Sequence, residues 1–272
     1  MKLSEAPVVD VRPLLTDERE DLLDFLRALS PGEWKTPSAA PGWTLKDLAL
    51  HLLDDDLGWL SRGRDGDRSG LLSMEDHESF VAALAAKNQR WIDGAQGLSG
   101  PVIIGLLEWS GREMDTYYGS MDLRGEGWVS WASDGPVPVW FDIAQDLTER
   151  WVHQMQMREA VGRIENYAAA YLPTVLRTFV WALPHQYRTA APAGTTVLVD
   201  LASGGAWHMV CNGDAGWSLH VGTAVAADAT AVFSDDAGWR WFTGADLPPG
   251  GAELRGRSEL TAPLLTVRGI LA

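Results

Sequence analysis

Over roughly the first 165 residues the apolar side chains return at helical spacing, and beyond that point they alternate in short runs broken by Gly, Asn and Asp. A chain patterned this way needs two kinds of core. "TDEREDLLDFLRALS" places Leu22, Phe25, Leu26 and Leu29 on one helical face, with Thr16 as its N-cap and Ser30-Pro31 as its stop. Thr44, with Asp47 three residues on, reads as a capping box that opens a helix running to Trp59 or beyond. After "GRDGDRSG" a third helical region spans about 74–98, and Pro101 starts another that reaches about Tyr118. "MDLRGEGWVSWASDGPVP" is a Gly-rich loop, and from Pro138 a long helix runs through "VWFDIAQDLTERWVHQMQMREAVGR". The expected architecture is therefore an α+β chain of two domains. Residues 1–165 form an up-and-down four-helix bundle, and 166–272 a small α/β sandwich domain. The second begins with the helix "YAAAYLPTVLRTFVWALP" and continues in the β-type runs "GTTVLVDLA", "AWHMVC", "GWSLHVG" and "ATAVFS"; the chain end returns to helical spacing.

Charge and cysteine content narrow the function. A formal charge of −15 argues against nucleic acid, which calls for a face rich in Lys and Arg. Cys211 is the single cysteine, so neither an internal disulfide nor a Cys-based zinc site can form, and a reducing, cytoplasmic setting is expected. "MKLSEAPVVD" carries no apolar h-region, and no stretch approaches the ~18 apolar residues a spanning helix needs, so no membrane role is expected.

Two helices carry the candidate chemistry. Glu149 and His153 stand four residues apart on the long helix, a spacing at which both can hold one ion. His51, on another helix, is the natural third ligand. Periodicity leaves a second reading open. Trp140, Ala144, Leu147, Trp151 and Met155 form the apolar stripe of the long helix, and Glu149 and His153 lie nearly opposite it, where a solvated pair would sit. On the earlier helix Leu45, Leu48, Leu52 and Trp59 form the stripe. His51 borders it beside Asp55, Asp54 reads as solvated, and Asp56 falls inside it, which is costly unless the carboxylate is paired.

Three segments in order, "PSAAPGWTLKDLALHLLDDDLGW", "LTERWVHQMQMREAVGR" and "ALPHQYRTAAPAGTTVLVDL", resemble the mycothiol-dependent maleylpyruvate isomerase family, whose N-terminal domain is a DinB-like four-helix bundle. The resemblance implies a divalent metal, usually zinc, held by His51, Glu149 and His153, and a sterol-carrier-like C-terminal domain. It also implies mycothiol as a thiol cosubstrate and a small electrophilic molecule as substrate, converted by a thiol-dependent isomerase or S-transferase. A thiol at a divalent cation loses its proton near neutral pH and becomes a strong nucleophile. Asp55, one turn after His51, is the candidate to orient its imidazole or to act as a base. Arg240, in "GWRWFTG", is the candidate to hold an anionic group of thiol or substrate.

Other features carry plainer expectations. A hairpin over "AWHMVCNGDAGWSLHVG" pairs Cys211 with Trp217 and sets His208 opposite His220, both outward, with Trp207, Met209, Cys211, Trp217, Leu219 and Val221 inward. His77 and His185 need no special role, and Trp128 and Trp131 are packing anchors or pocket walls. Two alternatives stand beside the enzyme: a carrier of an apolar ligand, and a hydrolase whose metal activates water.

Overall fold

A computed structural model describes residues 2–72, 77–164, 167–223 and 226–269, without the side chains of residues 77 and 78. A helical N-terminal region is followed by a mixed-sheet domain, as expected. By contacts the chain forms two compact units that interleave in sequence. One comprises 11–121 and 150–167, the other 1–10, 122–149 and 168–272. The expected boundary at residue 165 falls outside the described residues, as does the expected start of the third helix at 74.

The helical unit contains α1 (Arg12–Arg27), α2 (Leu45–Trp59), α3 (His77–Ala95), α4 (Gly100–Ser120) and the later part of α5 (Val139–Ala160). Thr44 caps α2 as its sequence predicts: its Oγ1 accepts from the Asp47 N–H at 3.3 Å, and the Asp47 carboxylate accepts from the Thr44 N–H at 2.8 Å. Thr16, by contrast, is not a cap. The helix starts four residues earlier behind Val11, with Pro13 in its first turn, and the Thr16 hydroxyl donates back to the Arg12 carbonyl. α2 ends in a single π turn, Leu60–Arg64.

Asp56 sits inside the apolar stripe of α2 and is fully buried. Its Oδ1 accepts from Arg19 Nη2 of α1 at 2.9 Å and from Arg150 Nη2 of α5 at 3.0 Å, and its Oδ2 accepts from Ser110 Oγ of α4 at 2.5 Å. Four helices thus meet at one carboxylate. Gly111 makes room for the arrangement, because a Cβ there would come within 3.0 Å of Arg19 Cγ. Next to Arg19 on α1, Glu18 is buried, and its Oε1 accepts from Gln154 Nε2 at 2.6 Å and Tyr167 OH at 3.3 Å. Burial raises the Glu18 pKa above its ordinary 4.5, against the opposing pull of Arg150 and Arg19.

The other unit holds a two-stranded ladder, β1 (Glu126–Gly127) with β2 (Val137–Pro138), within the stretch expected to be a Gly-rich loop. Among the described residues it also holds a five-stranded sheet of β3 (Thr196–Asp200), β4 (Ala206–Cys211), β5 (Trp217–Val221), β6 (Ala229–Phe233) and β7 (Ala252–Gly256). The order is β5-β4-β3-β6-β7, antiparallel except for the parallel β3–β6 pair. β7 escaped the sequence reading because "AELRG" is an exposed edge strand with little alternation to mark it. The hairpin register is the one expected, Cys211 opposite Trp217 and His208 opposite His220. Val221 is the exception: at the end of the edge strand it is 66% exposed rather than inward. α6 (Tyr167–Phe179), α7 (Ala182–Gln186), α8 (Asp235–Thr243) and α9 (Ser258–Thr261) complete the helices. α8 is capped by Ser234 and stops at Gly244, whose φ of 74° suits glycine. From α8, Trp241 stacks on Phe233 of β6 at 4.3 Å.

Two outcomes follow for the helical unit. Asp56→Ala removes the carboxylate that two buried guanidinium groups share and should lower stability by about 3–5 kcal/mol in urea unfolding; a loss under about 1 kcal/mol contradicts this account. For Glu18 the folded pKa is raised, so the folded chain binds more protons than the unfolded one and its stability falls as pH rises above about 4.5 through the raised value. Glu18→Gln should remove that slope and stabilise the protein at neutral pH, read from urea midpoints across pH; an unchanged slope would count against it.

Candidate functional site

His51 projects from the middle of α2 and His153 from the later part of α5, and both are 7% exposed. Their rings meet edge to face with centroids 4.8 Å apart. The solvated reading of His153 is therefore wrong. α5 is buried nearly all round, with Phe141, Ile143 and Val152 lying off the predicted stripe yet buried, so its second face is not a water face.

Each imidazole has identifiable neighbours. His153 Nδ1 lies 2.9 Å from Gln156 Oε1 on the next turn, which places the proton on Nδ1 and the lone pair on Nε2. His51 Nε2 lies 3.5 Å from Asp55 Oδ2, and His51 Nδ1 is buried with no hydrogen-bond partner among the described residues. Trp43, just before the α2 cap, tilts against His51 with centroids 5.1 Å apart. Burial holds both histidines neutral, each pKa pushed down to about 4. Asp54 opposes the shift at His51, while Lys87 and, for His153, the facing His51 add to it. Asp54 is not solvated. It is buried, and Lys87 Nζ of α3 reaches its Oδ2 at 2.5 Å.

Glu149 lies one turn before His153 on α5 and is half-buried. Among the described residues no three His, Cys, Asp or Glu side chains are gathered closely enough to hold an ion as they stand. Two donors fit that role: paired neutral imidazoles, one with an orphaned buried nitrogen, are a suitable donor set for a borderline divalent cation.

The remaining candidates are placed as follows. Arg240 on α8 has its Nε on Asp236 Oδ1 at 2.8 Å and its guanidinium 4.5 Å over the Trp239 ring. Trp131 is a buried anchor packed edge-on to Phe141 and Phe179, whereas Trp128 is 64% exposed. Cys211 is buried on the inner sheet face, its thiol donating to the Ala191 carbonyl at 3.2 Å, so it is no accessible nucleophile. His185 lies 3.8 Å from Asp134, and the side chain of His77 lies outside those described. Sequence reasoning missed Gln156, Trp43 and Lys87. Gln156 was within reach, as the helical i+3 neighbour of a candidate ligand; Lys87 had no sequence signal, since α3 meets α2 only through the fold.

The fold is thus a helical bundle that buries a histidine pair, followed by a mixed-sheet domain. Residues 15–158 match the family profile of the mycothiol maleylpyruvate isomerase N-terminal domain, and the chain belongs to the mycothiol-dependent maleylpyruvate isomerase family, a family of enzymes. The fold is similar to the crystal structure of the mycothiol-dependent maleylpyruvate isomerase, with TM-score 0.56, 14% identity, and 93% of this chain and 95% of that chain covered. A histidine-to-alanine mutant of that enzyme matches with TM-score 0.56 and 13% identity over the same shares. No curated protein matches at the level of sequence. Among the described residues no helix is long and apolar enough to cross a membrane.

In metal-free protein the ring signals of His51 and His153 should stay those of neutral imidazole from about pH 8 to about pH 5.5, where an ordinary histidine titrates. Both folded pKa values are depressed, so the unfolded chain takes up protons first, and stability falls as pH drops from 6.5 toward about 4. Histidine NMR resolves this, and a midpoint near 6.5 for either ring would refute it.

Proposed function

We propose that this chain is a thiol-dependent enzyme that acts on a small electrophile, as an isomerase or an S-transferase, with mycothiol as its thiol. In this reading His51, Glu149 and His153 hold a divalent metal, zinc being the ion that two imidazoles and a carboxylate suit best. The observation that carries it is the buried, neutral pair of His51 and His153 with its orphaned Nδ1. A divalent cation bound there supplies one thing, a lowered thiol pKa.

The protein's own groups do the rest. Gln156 presents His153 through Nε2, and Asp55 fixes the His51 tautomer through Nε2–H while offering a carboxylate to take the thiol proton. Because Cys211 is buried and occupied, the sulfur nucleophile comes from a small molecule. As an isomerase, the thiolate sulfur adds to one carbon of a conjugated double bond and the electron pair moves onto the conjugated carbonyl as an enolate. The former double bond then rotates, and expulsion of the same thiolate restores it in the other geometry. As a transferase, the sulfur displaces a leaving group that departs with the bond pair. Arg240, aligned by Asp236 and Trp239, is assigned to an anionic group of the thiol or substrate.

Purified protein should contain about one divalent ion per chain. His51→Ala and Glu149→Gln should each lose the ion, together with thiol-dependent turnover, while keeping the far-UV spectrum. Elemental analysis with and without mycothiol decides the matter. An ion retained in both variants, or turnover independent of thiol, overturns the proposal.

A further inference from the structure

The outer face of the five-stranded sheet carries a second imidazole pair. His208 on β4 and His220 on β5 are directly opposed in register, and their rings stack with centroids 5.2 Å apart and planes 18° from parallel. Both are half-buried. Among the described residues β5 is the last strand on its side of the sheet, and the inward neighbour of His208 in the same row is the apolar Leu198 of β3.

The hydrogen bonds decide which nitrogen of each ring has its lone pair. His208 Nδ1 lies 2.9 Å from the Gly222 carbonyl, which can only accept, so Nδ1 carries the proton and Nε2 the lone pair. His220 Nε2 lies 2.9 Å from Ser218 Oγ, and the Ser218 hydroxyl donates onward to the Val210 carbonyl at 3.4 Å. With its proton spent on that carbonyl, Ser218 Oγ accepts from His220 Nε2–H, which leaves the lone pair on Nδ1. The oxygen behind each ring thus sets which nitrogen faces outward with its lone pair, the arrangement that protein scaffolds use to orient histidine ligands. Burial of His220 holds its pKa down.

We propose that His208 Nε2 and His220 Nδ1 form a cross-strand site for a divalent first-row transition ion, with water in the remaining positions. Directly opposed residues keep their Cβ atoms about 4.5–5.5 Å apart, a span that two imidazoles bridge when both bind one ion at about 2.0 Å. Two nitrogen donors with no carboxylate beside them in the row select against calcium and magnesium, and the usual affinity order makes Cu²⁺ the tightest probe, ahead of Ni²⁺ and Zn²⁺. Bound there, the ion staples the edge hairpin. This site is independent of the bundle histidines and of the activity proposed for them.

The test is Cu²⁺ titration of chelator-treated full-length protein, followed by calorimetry and by pulsed electron paramagnetic resonance to count imidazole nitrogens. The wild type should bind one Cu²⁺ more per chain than His208→Gln/His220→Gln, with two imidazoles on that ion. Each single variant should weaken that site by about tenfold or more, since loss of a direct ligand costs at least as much as loss of an orienting partner. His51→Ala should leave the hairpin ion in place, so failure of the bundle site and failure of this one read out separately. Both surface variants should melt within a few degrees of the wild type without metal, and added Cu²⁺ should raise the melting temperature of the wild type more than that of the double variant. Equal Cu²⁺ stoichiometry and affinity in wild type and double variant would overturn the assignment.

Discussion

The helical unit is organised around the carboxylate of Asp56. Placed in the apolar stripe of α2, an unpaired charge there would cost several kcal/mol, and the fold answers with two guanidinium groups and a hydroxyl from three other helices. Each partner reaches Asp56 only if its helix lies at one rotation and one height. Hydrophobic burial brings α1, α2, α4 and α5 together without direction, and the polar contacts then specify which faces meet. Gly111 shows the tolerance involved, since the stem of Arg19 passes over α4 so closely that a Cβ there would meet it at 3.0 Å.

That registration is what places the histidines. His51 is five residues before Asp56 on α2, and His153 is three residues after Arg150 on α5. The Asp56–Arg150 contact therefore fixes the two helices near the level at which the imidazoles meet edge to face. The acidic run that follows His51 divides its work accordingly. Asp54 engages Lys87 of α3, Asp55 faces His51, and Asp56 ties the bundle together. Three successive aspartates on a helix point in three directions about 100° apart, and here each direction meets different chemistry.

Much of this was legible beforehand where the signal is local. The Thr44–Asp47 box, the extents of α4 and α5, and the hairpin register with His208 opposite His220 all rest on residues within a few positions of each other. Errors gathered where a local rule met a longer-range fact. Thr16 resembles a cap, but Pro13 and the apolar Val11 let the helix begin earlier. Val221 continues the inward alternation, but it stands at the end of an edge strand and is largely exposed. Periodicity left open a wet polar face on α5 because it cannot count how many neighbours surround a helix.

By itself the sequence determined the kinds of element, most of their ends, the family, and a short roster of residues able to do chemistry, because capping, periodicity and strand alternation act over a single turn or pleat. Only the tertiary structure decided that His51 and His153 touch, that burial keeps both neutral, and that Gln156, Trp43 and Lys87 stand around them. Those outcomes depend on which helix faces pack together and how much water they exclude. Such packing is a property of side chains far apart along the chain, and no local spacing encodes it.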